Sequence, residues 1–69
     1  MSETVGDALP KEMARIRDVV MPVYQEIGPA GGLALALMRK DLDDAARAMM
    51  EGDTVEMIRL LQELREYKL

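Results

Sequence analysis

The pair Gly52-Asp53 constrains this chain more than any other feature of it. A helix that must stop needs a residue able to take a positive φ just past its last turn, and glycine does so without a Cβ clash. Asp53 follows as an N-cap whose carboxylate accepts from N–H groups of the next turn, and Glu56, three residues on, completes the spacing of a capping box. Apolar residues keep helical spacing on both sides, so one helix ends at Glu51 and another opens at Asp53. So short a connection makes the two fold back on each other as an antiparallel hairpin.

Upstream, Leu9, Met13, Ile16, Val20, Val23, Tyr24 and Ile27 recur at spacings of three and four, a stripe about 100° wide. They predict a first helix from Leu9, with Pro10 in its opening turn and Gly28-Pro29 as its stop. Pro22 falls inside it, where it removes a backbone bond, crowds the carbonyl four residues back and disfavours the α conformation at Met21. A kink near Asp18 to Met21 in a continuous helix, or a break into two short helices, meets that constraint. The stripe continues in phase through Val23 and Ile27, as a kink requires. Residues 1–8, with Val5 isolated among Glu3, Thr4, Gly6 and Asp7, read as a flexible amino-terminal tail, which leaves 9–69 as one domain.

The second helix runs from about Pro29 or Gly31 to Glu51, with Leu35, Met38, Leu42, Ala45, Ala46 and Met49 on the face that meets its neighbours. Leu33 and Leu37 point the other way, so Leu33 to Met38 is apolar all round, whereas Lys40, Asp44, Arg47 and Glu51 make that side polar further on. A helix apolar all round is buried all round. In the third helix Met57, Ile58, Leu60, Leu61 and Leu64 face inward, while Glu56, Arg59, Gln62, Glu63 and Glu66 form a solvated side. The expected fold is therefore all-α: a small three-helix bundle with an antiparallel helical hairpin, helices two and three, and a Pro-kinked first helix. Met13, Met38, Met49 and Met57 lie on the stripes and read as core; Met21 and Met50 lie off them and suit either core or an interface.

Two resemblances sit on these turns. Ala45 to Met49, Glu51-Gly52-Asp53 and Ile58 to Leu61 resemble the helical hairpin of tetratricopeptide-type repeats, but the unit occurs once where an array needs several. Ile27-Gly28-Pro29-Ala30-Gly31, Asp41-Leu42, Glu51-Gly52-Asp53 and Met57-Ile58-Arg59 resemble short uncharacterised helical proteins of proteobacterial phages and prophages. That likeness implies a phage-related setting and attaches no activity.

The residues exclude much chemistry. There is no cysteine and no histidine, so thiolate and imidazole ligands and the commonest general base are missing. Ser2, Thr4 and Thr54 are the only aliphatic hydroxyls, with nothing to activate them. The glycines of Gly28-Pro29-Ala30-Gly31-Gly32 follow a helix and lack the Lys and Ser/Thr of a phosphate loop, so they read as an interhelical turn. Asp41, Asp43 and Asp44 splay apart at helical spacing and lack the ligand ladder of a calcium loop. No catalytic residue, cofactor or metal is expected. No apolar run reaches membrane-spanning length and the amino terminus lacks a signal pattern, so the expected location is cytoplasmic.

What remains is a non-enzymatic module for protein interaction and self-association, with a nucleic-acid-associated regulator or mimic acting through an acidic surface as the alternative. Folding a chain of 69 residues costs about 1.5 kcal/mol of ordering entropy per residue, and self-association is the support left to one without disulfides or metals. A homodimer through Leu33 and Leu37, extended by Val19, Met21 and Val23, would cover the apolar start of helix two. The competing arrangement folds helix one over Leu33 and Leu37 in a self-sufficient monomer; a further protein partner is also expected. Nine Lys and Arg stand against thirteen Asp and Glu, net −4, and the third helix would present Asp53, Glu56, Glu63 and Glu66 to phosphates. Duplex DNA at about 0.15 M salt should therefore show no mobility shift with micromolar protein.

Overall fold

Thr4 starts the fold. In the computed structural model, which describes residues 3–68, its side chain accepts from the Asp7 N–H at 3.2 Å and caps α1 (Val5–Arg15). A wider π-helical turn (Ile16–Val20) and α2 (Met21–Glu26) continue the same rod without interruption. A 3-10 turn (Gly28–Gly31) leads into α3 (Gly32–Glu51), and Gly52-Asp53 into α4 (Thr54–Glu66). The result is the expected all-α bundle of three rods, with no strand among the described residues. The amino-terminal tail is shorter than expected: Val5 to Ala8 are helical and Ala8 is buried, because Thr4-Val5-Gly6-Asp7 is a capping sequence with few apolar residues. Met1 and Ser2 of that tail, and Leu69 at the other end, lie outside the described residues. Pro10 is consequently the sixth residue of α1, and the bond it forgoes would have gone to Gly6, an exposed residue whose carbonyl water can serve.

Pro22 is accommodated by a change of register. The Met21 N–H bonds the Ile16 carbonyl, five residues back, so the rod holds one extra residue just before the proline ring. The extra residue also turns everything after it. Beyond Val20 the buried positions are Met21 and, partly, Tyr24, while Val23 and Ile27 face solvent. Met21 thus belongs to the core and not to an exposed interface, a correction that follows from the shifted phase.

The turn at Gly52 is as the sequence predicts. Gly52 takes φ 67°, its N–H and that of Asp53 satisfy the last carbonyls of α3, and the Asp53 carboxylate accepts from the Glu56 N–H at 3.2 Å. Glu56 does not reach back to complete the capping box; its carboxylate bonds Arg59 instead. The other sharp turn uses Gly28 at φ 78° and brings the buried Gly31 against the end of α2.

α4 packs on α3 and α1, and α2 packs on α3. Leu9, Ile16, Val20, Met38, Leu60 and Leu64 are fully buried where these rods meet. Met57 joins them and Met13 packs against the cluster. On α3 the buried stripe is Leu35, Met38, Ala45 and Ala48; Ala46 and Met49, expected inside, are exposed, and so is Ile58 on α4. The stripe is rotated because α4 lies against the side of α3 that carries Asp41 and Ala48 rather than the side that carries Ala46. Small side chains at Ala45 and Ala48 let α4 approach closely near the turn.

Adjacent glycines separate backbone crowding from helix propensity. A Cβ at Gly31 would fall on the Tyr24 carbonyl oxygen, far inside van der Waals contact, whereas a Cβ at Gly32 meets open space in helical backbone. Gly31→Ala should destabilise by about 1 to 3 kcal/mol and Gly32→Ala should stabilise by about 0.4 to 1 kcal/mol, as measured by urea unfolding.

Candidate interaction surface

α3 has 20 residues and α4 has 13, about 30 Å against about 20 Å at 1.5 Å per residue. Because α4 starts at the Gly52 turn, it runs out near Asp41 and leaves residues 32–40 of α3 without it. Two contacts hold that end in place. The Tyr67 hydroxyl donates to the Asp41 carboxylate at 2.9 Å, tying α4 to α3. Arg15, the last residue of α1, donates through Nη2 to the carbonyls of Leu64 (2.9 Å) and Tyr67 (2.8 Å), while its Nε donates to Glu12 at 2.7 Å. The Leu64 carbonyl also accepts from the Tyr67 N–H at 3.2 Å, and both carbonyls lie at the negative end of the α4 dipole, where a guanidinium is well placed.

Below this level three helices surround a core. Above it there are only two, the π turn with α2 on one side and the start of α3 on the other. Leu33 is 76% exposed and Leu37 49%, and Val19, Val23 and Ile27 are exposed on the neighbouring rod. The expectation that the apolar start of helix two is buried all round is corrected within a single chain: α2 covers Leu35 and Met38 but not Leu33 and Leu37. Of the proposed interface residues, Val19, Val23, Leu33 and Leu37 are on this two-helix end, Ile27 joins them and Met21 lies beneath. Gly28 and Pro29 form the turn between the two helices, and Gly52 and Asp53 mark the far end of α3.

Between Arg17-Asp18 on one rod and Arg39-Lys40 on the other, the same end carries little charge. From Val19 to Met38 the only ionic side chain is Glu26, in a chain of which 32% is charged. Depletion of charge marks the centre of protein interfaces, where an unpaired ion would lose its water. Elsewhere the exposed apolar residues Met50, Val55 and Ile58 sit near the hairpin turn among Glu51, Asp53 and Arg59. Met50 is therefore a surface residue, 86% exposed.

Two hollows are lined largely by charged side chains. Asp41, Glu63, Glu66 and Tyr67 line an open hollow of about 410 Å³, and Asp44, Arg47, Ala48, Glu51 and Glu56 line one of about 260 Å³. Ion pairs run along the second: Lys40 with Asp44 at 2.8 Å, Arg47 with Asp44 at 3.6 Å, and Arg59 with Glu56 and with Glu63. Exposed pairs of this kind contribute little to stability, because water screens them. Lys40 beside it, and Arg59 beside Glu56, hold the Asp44 and Glu56 carboxyls below the usual range. Among the described residues no group of three or more acidic, His or Cys side chains is arranged to hold a metal ion, and no helix is long and apolar enough to cross a membrane. Comparison of the chain with protein-family models, with curated proteins and with solved structures finds no match.

Tyr67 gives the clamp a pH signature. Burial, with the Asp41 carboxylate close by, pushes its phenol up to about 12 from an ordinary 10.0. The unfolded chain releases this proton first, so the contribution of Tyr67 is complete below pH about 10 and is lost as pH rises toward about 12. Lys11 and Lys40, raised by Glu3 and Asp44, add to the same decline. The difference between wild type and Tyr67→Phe isolates the phenol: unfolding free energy should fall more steeply with pH over that window in wild type than in the variant.

Proposed function

We propose that this protein is a non-enzymatic interaction module, acting in the cytoplasm, whose two-helix end binds a protein surface. The observation that carries the reading is the coincidence of exposed Val19, Val23, Ile27, Leu33 and Leu37 with the one long stretch nearly free of charge. Burial of such a side chain stabilises by about 1.5 to 3 kcal/mol, so leaving five in water is a standing cost that a partner removes. Two open hollows elsewhere on the surface are lined largely by charged side chains, of which Asp44 and Glu56 are already ion-paired. The likeness of the turn residues to short phage and prophage proteins supports a role as modulator of a phage or host protein.

Leu33→Glu/Leu37→Glu tests the reading, since both positions are exposed in the single chain and the helices should persist by circular dichroism. Wild type is expected to associate, with itself in sedimentation or with a protein retained from lysate, and the double variant to lose that association. Identical behaviour of the two proteins in both measurements would show that this end binds nothing.

A further inference from the structure

We propose that the occupant of the two-helix end is the same end of a second copy, so that α2 and the start of α3 from two chains close into a four-helix bundle about a twofold axis. This rests on the interaction reading above and names its partner. Charge singles out this contact. Two chains of net charge −4 repel each other over most orientations, and residues 19–38, with Glu26 alone ionic, form the part that meets its copy with the least like-charge opposition.

Geometry points the same way. α2 and the start of α3 are connected by the tight Gly28–Gly31 turn and pack on each other, with Leu35, Met38, Val20 and Met21 buried and Leu33, Leu37 and Val23 exposed. Such a helical pair is half of a four-helix bundle, in which every helix has two neighbours. Further along, α4 supplies the second neighbour of α3; here a twofold rotation would supply it, and a twofold interface uses one patch twice.

The size also suits a modest dimer. A standard interface takes about 800 Å² from each partner, roughly a sixth of the 4651 Å² that this chain exposes. Residues 19–38 include 13 exposed ones, fewer than the roughly 20 to 30 a side of a standard interface, so the contact is a small one.

The chain has no cysteine, so single cysteines report on proximity without background. A disulfide needs Cα atoms within about 7 Å, which on a twofold interface only positions near the axis satisfy. Wild type at tens of micromolar should show twice the 7.7 kDa of one chain by light scattering, and Leu33→Glu/Leu37→Glu one chain with its helix content intact. Among Leu33→Cys, Leu37→Cys and Val23→Cys at least one should oxidise to a linked dimer about tenfold faster than Met50→Cys or Val55→Cys at the opposite end. A single-chain mass for wild type, or cross-linking as fast at Met50 or Val55, overturns the proposal. If wild type is a single chain yet retains a protein that the double variant loses, the copy is wrong and the interaction reading stands; if neither association is seen, both fall.

Discussion

Where α4 stops decides the character of each end of the molecule. Thirteen residues cannot run the length of a twenty-residue partner, and the helix is held at its C-terminal end by Arg15 from α1 and Asp41 from α3. The part of α3 beside α4 has neighbours on two sides and keeps Ala45 and Ala48 buried. The part beyond has one neighbour, so leucines with the same intrinsic preference for burial stand in water. Arg15 donates to two main-chain carbonyls at the end of α4, which makes the clamp a backbone constraint and one that lysine, without the planar fork, would serve less well.

The π turn works on the other rod. Pro22 would otherwise remove a bond and press its ring on the carbonyl four residues back. Placing the extra residue at Ile16–Val20, immediately before it, moves the ladder out of the way. The consequence reaches beyond the backbone, since a shift of one residue turns the following side chains by about 100°. Met21 enters the core in place of Val23, and a stripe that would have been buried along its whole length becomes core up to Val20 and surface at Val23 and Ile27.

These two local devices converge on one place. A short α4 uncovers Leu33 and Leu37, and the π turn uncovers Val23 and Ile27 on the rod packed beside them. Charged residues run along the faces of α3 and α4, where Lys40, Asp44 and Arg47, and Glu56, Arg59 and Glu63, form compensating surface pairs. For a protein this small, whose folding balance is close, a partner on an uncovered apolar end would add stability without enlarging the core.

The sequence by itself determined the helices and their punctuation. Gly52, Asp53 and Gly28 act through their own backbone conformations and nearest neighbours, so the all-α class, the hairpin and both turns were legible from the residues, as were Leu33 and Leu37 as apolar side chains on the wrong side of their helix. The start of α1 was missed because its four capping residues carry no apolar period, and the need for glycine at Gly31 was visible only as a close approach somewhere in the turn. Tertiary structure alone decided which face of each helix is inside. Ala48 displaces Ala46 and Met49, Met21 displaces Val23, and Leu37 stays exposed, because burial depends on the rotation of one rod against the next and on how far the third extends. Periodicity fixes a stripe to within the angle between adjacent residues; a π turn, a helix seven residues shorter than its partner and the Arg15 and Tyr67 contacts that join residues distant in sequence settle the rest.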